Sequence, residues 1–195
     1  RVQSVLAKIR SAAEKAGRPA SSVRLVAATK TVPVQKIAEG VQAGLAILGE
    51  NRVQEALSKI PAFKPGPVQW HCIGQLQRRK VRSVVGVFEL IHSVDSLELA
   101  QEIDRRAGDA GHRQDVLLEV NIGNEPTKAG FCPDDVRQAV SELAQLSHIR
   151  IKGLMAIPPP TIDPGSARPY FRKLTELAKM IDTQHLPSVK MDELS

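Results

Sequence analysis

Apolar residues recur along the chain in two alternating patterns, one with helical spacing and one as short continuous runs. Residues 2–16 place apolar side chains three and four positions apart and end at Gly17, which is typical of an amphipathic helix. Residues 24–30 form a short apolar run, which predicts a strand buried on both faces. A second helix is predicted to begin at Pro33 and to end at Gly44. Residues 2–44 are therefore predicted to form a helix followed by a strand–helix unit.

The same alternation continues to residue 194. Six more strands are predicted at residues 46–49, 68–73, 89–92, 115–121, 149–157 and 189–194. Helices are predicted between them at residues 51–60, 77–85, 96–110, 133–147 and 168–182. The first of these helices is predicted to turn four side chains inward, those of Val53, Ala56, Leu57 and Ile60, and Ser93 or Asp95 is predicted to cap the third. Each helix must return the chain to the same end of the sheet, so strict alternation predicts a parallel sheet.

Seven parallel strands fit either an open doubly wound sheet or a (β/α)8 barrel without its last unit. The sequence has neither the GxGxxG of a dinucleotide-binding sheet nor a Walker A motif, and its strands are evenly spaced. The predicted fold is therefore an α/β barrel of the TIM type, as one domain over residues 1–195. Because the chain begins at Arg1 without a methionine and stops at Ser195 within an apolar stretch, we expect both ends to be cut.

The amino-acid composition excludes some classes of protein but does not identify one function. Lys and Arg number 27 against 21 Asp and Glu, so the chain carries a formal charge of +6 that attracts anions. Aromatic residues make up only 3%, too few for a sheet on which RNA bases stack. The two cysteines, Cys72 and Cys132, are far apart, which excludes a zinc module. No apolar run approaches the roughly 18 residues of a membrane-spanning helix, and no signal peptide is present, so a cytoplasmic location is expected.

Functional groups of a barrel lie at the carboxyl ends of its strands. That rule selects Lys30, Glu50, Asn51, residues 71–75, His92, residues 121–128 and residues 155–160. Lys30 is the most specific of these candidates, because burial at the end of a central strand would favour its neutral amine, the nucleophile that attacks an aldehyde. The alternative is a lysine that reaches from the strand end to solvent.

The other candidates have structural readings beside functional ones. Asn51 either caps the helix that follows it or hydrogen-bonds a ligand oxygen. His71 fits a hydrogen-bonded interior histidine better than a catalytic one, and Glu119 fits a polar interior or a salt bridge. The basic cluster is the best argument for nucleic-acid binding and consists of Arg78, Arg79, Lys80 and Arg82. It has no interleaved aromatic residue, so a solvated face and no nucleic-acid partner are expected.

Seven blocks of sequence share a further resemblance. They are residues 25–31 (LVAATKT), 48–55 (LGENRVQE), 70–77 (WHCIGQLQ), 91–95 (IHSVD), 120–123 (VNIG), 153–156 (GLMA) and 194–195 (LS). In this order, over nearly the whole chain, the blocks resemble the pyridoxal phosphate homeostasis protein family, which is related to the N-terminal barrel domain of alanine racemase.

The resemblance implies a cofactor and a set of site residues. Lys30 corresponds to the lysine that holds pyridoxal 5′-phosphate (PLP) as a Schiff base, and Asn51, His71, Met155 and Ser195 fall in blocks that line the PLP pocket. The family is thought to buffer or deliver vitamin B6 without an established turnover reaction. The resemblance therefore implies a monomeric or weakly dimeric PLP carrier with apo PLP-dependent enzymes as its partners, no catalytic residues and no metal.

The sequence also departs from the family pattern. Gln75 stands where the family usually has a second histidine, and Arg78 and Arg79 stand where it has Ser-Asn-like residues. In the family, a Met-Gly-Met-Ser segment, a helix and a last strand follow the Leu-Ser pair and hold the phosphate. We therefore expect the present chain to bind PLP more weakly than a chain with those elements.

The alternative function is a PLP-dependent amino-acid racemase. Racemisation needs an acid–base group on each face of the substrate, and in alanine racemase a tyrosine from an additional domain serves the second face. The single tyrosine here, Tyr170, is predicted to pack with Phe171 and Leu174 on the last helix. The sequence therefore favours the carrier.

Overall fold

The computed structural model describes residues 1–63, 66, 68–160 and 163–195. Within these residues the helices are α1 (Val2–Lys15), α2 (Val34–Gln42), α3 (Val53–Lys59), α4 (Leu97–Asp109), α5 (Val136–Leu143) and α6 (Arg168–Asp182). The strands are β1 (Val26–Ala28), β2 (Ile47–Glu50), β3 (Gln69–Cys72), β4 (Leu90–Val94), β5 (Gln114–Glu119), β6 (Ile149–Met155) and β7 (Val189–Leu194). The predicted alternation of strands and helices is confirmed. None of the described helices is long and apolar enough to cross a membrane.

The chain divides into two compact units, Arg1–His71 and Cys72–Ser195. In the first unit, β1 and β2 pair in parallel, with Ala28 opposite Gly49. The second unit contains β4, β5, β6 and β7, which lie in that order and are all paired in parallel. The predicted parallel pairing is therefore confirmed within each unit, and the single domain over residues 1–195 stays a prediction.

The core of the second unit lies between its sheet and its helices. Leu118 and Leu154 on the strands are fully buried, as are Ile103 on α4 and Leu143 on α5. These are the positions at which an apolar strand run or a helical apolar stripe meets its neighbour, and their burial is the main favourable term in folding. The packed core thus fixes the positions of the carboxyl ends of these strands.

The cap of α4 differs from the prediction. Ser96 is the capping residue, and its hydroxyl accepts a hydrogen bond from the backbone N–H of Leu99 at 3.4 Å. Ser93, one of the two predicted caps, still belongs to β4, and its hydroxyl donates to the carbonyl oxygen of Gly74 at 2.7 Å. Asp95, the other, lies before the cap and accepts a hydrogen bond from Ser96 at 3.0 Å.

Two other predictions were wrong in detail. The basic segment predicted as a helix over residues 77–85 is a 3-10 helix, Arg78–Ser83, with i to i−3 hydrogen bonds such as Lys80 N–H to Gln77 O. Leu57, predicted to face inward, is 38% exposed. The other three residues predicted to face inward, Val53, Ala56 and Ile60, are buried, and Lys59 is buried with them.

Candidate functional site

Lys30 follows β1 and is exposed. The prediction of a strand buried on both faces was therefore wrong, and of the two readings of Lys30 the structure shows the lysine that reaches solvent. β1 is only three residues long and runs from half-buried to exposed, because within the first unit it pairs with β2 alone. Burial consequently does not make this amine reactive, but an aldehyde can reach it from solvent.

The backbone around Lys30 forms a tight turn. The N–H of Thr29 donates to the Gly49 carbonyl at 2.9 Å, which continues the pairing with β2, and the N–H of Val32 then donates back to the Thr29 carbonyl at 3.0 Å. Thr31 adopts a φ of +62°, a left-handed conformation that a β-branched residue rarely takes. Such strained backbone persists only where the surroundings hold it in place.

A buried charged cluster lies beside this turn. The Nζ atom of Lys59 is 2.7 Å from each of three oxygens, the Thr29 carbonyl, Glu50 Oε1 and Glu55 Oε1. The Thr29 hydroxyl also donates to Glu50 Oε1, at 2.8 Å. The side chains of Lys59 and Glu50 are 8% and 0% exposed. Two buried charges of opposite sign are thus paired and hydrogen-bonded. Removing one partner would leave the other charge buried without compensation and would strongly destabilise the fold.

The electrostatics of the cluster favour its charged form. Burial lowers the pKa of Lys59, but hydrogen bonds to Glu50 and Glu55 outweigh that effect, so the net pKa is raised. The hydrogen bonds from Lys59 and from the Thr31 N–H hold the pKa of Glu55 below its ordinary value. The Lys59–Glu55 pair is therefore ionised at neutral pH.

The sequence left two roles open for Asn51, a helix cap and a hydrogen bond to a ligand, and the structure excludes the first. The N-cap of α3 is Arg52, with no side-chain cap hydrogen bond, so Asn51 does not cap the helix. Its Oδ1 atom is buried and has no hydrogen-bond partner among the described residues. A buried polar atom without a partner is costly, and a ligand that supplies a hydrogen bond would satisfy it. His71, at 3% exposure in β3, is an interior histidine as predicted.

In the second unit, Ser195 lies directly after β7. Its N–H donates to the Leu154 carbonyl at 3.0 Å, and its own carbonyl accepts from the Ala156 N–H at 3.0 Å. Its hydroxyl oxygen is 2.9 Å from Nδ1 of His92, on β4. Met155, at the end of β6, is 5% exposed and packs with Leu90 and Leu117. The second unit thus brings Ser195 and the candidate His92 together.

Two other polar residues considered from the sequence, Asn121 and Glu119, also lie in the second unit. Asn121 folds its own loop, because its Nδ2 donates to the Glu125 carbonyl at 2.8 Å and its Oδ1 accepts from the Glu125 N–H at 3.0 Å. Burial and then the charge of Asp95 raise the pKa of Glu119. Among the described residues no group of three His, Cys, Asp or Glu side chains could hold a metal ion.

Lys59 is the residue that the sequence reading missed. Its spacing of four from Glu55 is usual for an exposed helical ion pair, so it gave no reason to expect burial. The available signal was that Lys59 continues the three-residue spacing of Val53 and Ala56, which places it on the buried face of α3.

Comparisons with known proteins place these residues in context. The family described as "Alanine racemase, N-terminal domain" matches residues 2–191. The chain is 43% identical over 194 residues to the pyridoxal phosphate homeostasis protein of Aquifex aeolicus, covering 98% of this chain and 85% of that one. It is 38% identical over 176 residues to the protein of that name from Pseudomonas aeruginosa, covering 90% and 76%.

Solved structures give the same picture. A crystal structure described as that of an unknown protein from Bifidobacterium adolescentis is 36% identical, with a TM-score of 0.92 over 99% of this chain and 82% of that one. PipY of Synechococcus elongatus with PLP bound is 35% identical, with a TM-score of 0.81 over 97% and 87%. An alanine racemase of Clostridium difficile is 15% identical, with a TM-score of 0.73 over 89% of this chain and 45% of the racemase, a likeness of fold alone.

Proposed function

The chain belongs to the pyridoxal phosphate homeostasis protein family, within the wider family of the alanine racemase N-terminal domain, and on this basis we propose that it binds PLP. The predicted resemblance and the predicted α/β barrel of the alanine racemase type are confirmed by these comparisons. PLP is the ligand in the structure of PipY, which is 35% identical. The proposed function is to hold and release PLP without turning over a substrate.

Lys30 is the proposed attachment point. Its Nζ attacks the aldehyde carbon of PLP, a C=N bond forms, and the carbonyl oxygen leaves as water with the two protons of the amine. The family block that contains Lys30 supports this assignment, and the exposed amine is open to an aldehyde from solvent. The bound group supplies an electron sink, which a carrier does not use.

The residues present fit such a ligand. The observation that carries the proposal is the buried, unpartnered Oδ1 of Asn51, the residue after β2, in the unit that also contains Lys30. PLP bears hydrogen-bonding groups that could satisfy this amide. His71, which lies within β3 of the same unit, is proposed as a further residue of this site because it falls in a family block. Met155, which ends β6, and Ser195, which follows β7, belong to the second unit and are proposed to contact PLP on the resemblance alone.

A racemase is the second candidate, and the comparisons do not favour it. The racemase structures share the fold at 15% to 18% identity, whereas the relatives at 43% and 38% are named homeostasis proteins. A racemase exchanges the α-hydrogen of its amino acid with solvent. Incubation of the PLP-loaded protein with amino acids in heavy water separates the two, because only a racemase would incorporate deuterium.

The decisive experiment is borohydride reduction of the protein mixed with PLP, followed by peptide mapping. The label is expected on Lys30, and Lys30→Ala should lose both the label and the near-visible absorption band. Lys36→Ala is the matched control, because Lys36 is an exposed lysine of α2 paired with Glu39 at 3.1 Å. A full absorption band in Lys30→Ala, or label on another lysine, would overturn the assignment.

Apo PLP-dependent enzymes are the proposed recipients. A lysine of the recipient would displace Lys30 from the C=N bond, so no further reactant is needed. Mixing loaded protein with an apo-enzyme in the presence of a phosphatase that destroys free PLP tests direct transfer. Recovery of enzyme activity under the phosphatase supports it, and no recovery contradicts it. The cytoplasmic location and the monomer or weak dimer stay predictions.

A further inference from the structure

We propose that Glu55 and Lys59 are positioning residues that hold the backbone on both sides of Lys30 and so aim its amine. The proposal rests on the proposed function of Lys30, and it concerns residues that do not themselves touch PLP. All of the contacts that carry it lie within the first unit, among the turn after β1, the end of β2 and helix α3.

The first contact is on the carboxyl side of Lys30. The N–H of Thr31 donates to Glu55 Oε1 at 2.5 Å, a short hydrogen bond to an ionised carboxylate. Thr31 is the residue with a φ of +62°. A threonine leaves this conformation readily unless something holds it, and Glu55 supplies a charge-assisted hydrogen bond at that position.

The second contact is on the amino side of Lys30. Lys59 Nζ donates to the Thr29 carbonyl at 2.7 Å, and the same ammonium donates to Glu55 Oε1 at 2.7 Å. One carboxylate oxygen therefore receives both the Thr31 N–H and the Lys59 ammonium. Through this pair, Thr29 and Thr31 are both tied to α3, and Lys30 is the residue between them.

Glu50 anchors the cluster from β2. Its Oε1 accepts from Lys59 at 2.7 Å and from the Thr29 hydroxyl at 2.8 Å, and the residue is 1% exposed. Lys59 is thus held in one position by three acceptors. A hydrogen-bonded ammonium of this kind cannot serve as a nucleophile while its lone pair is protonated, which leaves Lys30 as the amine of this site that is open to solvent.

The functional consequence is preorganisation. Lys30 has a long flexible side chain, and fixing its backbone on both sides restricts the directions from which Nζ can meet an aldehyde. Ordering that is complete before the ligand arrives does not have to be supplied by binding. Loosening the turn should therefore weaken PLP binding although no contact with PLP is removed.

The test compares substitutions of Glu55 that differ in what they keep. Glu55→Gln retains an acceptor oxygen for Thr31, whereas Glu55→Leu removes the acceptor and Glu55→Asp retains the charge on a shorter side chain. We expect Glu55→Leu to weaken PLP binding about tenfold and Glu55→Asp about threefold, with Glu55→Gln restoring affinity to within about twofold of the wild type. Glu39→Leu, at an exposed position of α2, is the control and should bind like the wild type.

A second measurement needs no PLP. Backbone amide exchange of Thr31 in the apo-protein reports its hydrogen bond to Glu55, and it should be about tenfold faster in Glu55→Leu and close to wild type in Glu55→Gln. Glu55→Asp is expected to fold if Glu55→Leu does not, and it gives the same two readouts. A structural role alone would lower the free energy of unfolding of Glu55→Leu and leave the PLP affinity of the folded protein unchanged.

The outcomes separate this proposal from the proposed function. If the wild type forms an adduct on Lys30 and the Glu55→Leu and Glu55→Asp variants bind PLP as tightly, the positioning role is wrong. Unchanged exchange of the Thr31 amide in both variants also contradicts it. If instead the wild type forms no adduct on Lys30, the proposed function fails, and with it the role of Glu55 in PLP binding, whatever the exchange data show.

Discussion

The Nδ1 atom of His92 and the hydroxyl oxygen of Ser195 lie 2.9 Å apart and join β4 to the residue after β7. His92 is 4% exposed, so this hydrogen bond is largely shielded from water at one end. Because β4 and β7 are not neighbours in the sheet order, the bond links two strands that do not pair with each other. It is one of the contacts that fix where the Ser195 hydroxyl lies.

The His92–Ser195 hydrogen bond should appear as a coupling between substitutions. His92→Phe and Ser195→Ala should each lower the unfolding free energy, and the double variant should lose about 1 kcal/mol less than their sum. Urea unfolding of the four proteins measures the cycle. Pairing Ser195→Ala with Ser147→Ala, at an exposed loop serine, is the control and should be additive. Additive losses in the His92 cycle would show that the bond contributes nothing.

The two cysteines should differ in reactivity. Burial raises the pKa of the Cys72 thiol to about 11, whereas Cys132 is exposed. Thiolate is the reactive form, so at pH 8 we expect a disulfide reagent to titrate one thiol rapidly in the folded protein and two in denaturant. Cys132→Ser should abolish the rapid reaction and Cys72→Ser should leave it intact. Two fast thiols in the native protein would contradict this account.

The periodic parts of the fold were predictable from the sequence. Helix α6 and strand β7 have the predicted bounds, 168–182 and 189–194, because each carries one clear apolar period along its whole length. Strand β1 was predicted too long and too buried. Its apolar residues match a central strand, but burial depends on how many strands pair with it, which residues 24–30 do not encode.

The site was predictable in part. Position after a strand selected Lys30 and Asn51, and the resemblance assigned them to PLP. Lys59 was missed because a lysine four residues after a glutamate usually marks a surface ion pair. Its burial follows from its contacts with Glu50 and Thr29, which lie outside α3. Contacts of this kind are set by tertiary packing, and a pattern within one helix cannot reveal them.

Acid should destabilise the protein through Glu102. Hydrogen bonds from Arg105 and then Arg106 lower the pKa of Glu102 to about 2. The unfolded state, with the ordinary value near 4.5, binds the proton first as the pH falls, so this stabilisation is complete above pH 4.5 and declines towards pH 2. Glu102→Gln should therefore be less stable than the wild type at pH 7, and the difference should shrink in this range.

Urea unfolding at several pH values between 7 and 2 measures the effect of Glu102. Glu142→Gln, which removes an exposed carboxylate from α5, is the matched control. A stability difference between wild type and Glu102→Gln that stays constant from pH 7 to pH 2 would show that the Arg105 and Arg106 hydrogen bonds do not set the acid response.

Gly153 lets β7 approach β6, and any side chain there should disrupt this pairing. Gly153 lies opposite Glu193 at a φ of +153°, and an added Cβ would overlap the Glu193 carbonyl oxygen, which is backbone and cannot rotate away. Gly153→Ala should cost about 3 kcal/mol or more of unfolding free energy. Gly17→Ala, where φ is +67° and nothing lies within 4 Å of the added Cβ, should cost only about 1 kcal/mol from backbone strain. Since β7 leads directly to Ser195, Gly153→Ala should also reduce the coupling with His92. If urea unfolding shows that Gly153→Ala and Gly17→Ala lose the same unfolding free energy, the close approach of β6 and β7 at Gly153 does not stabilise the sheet.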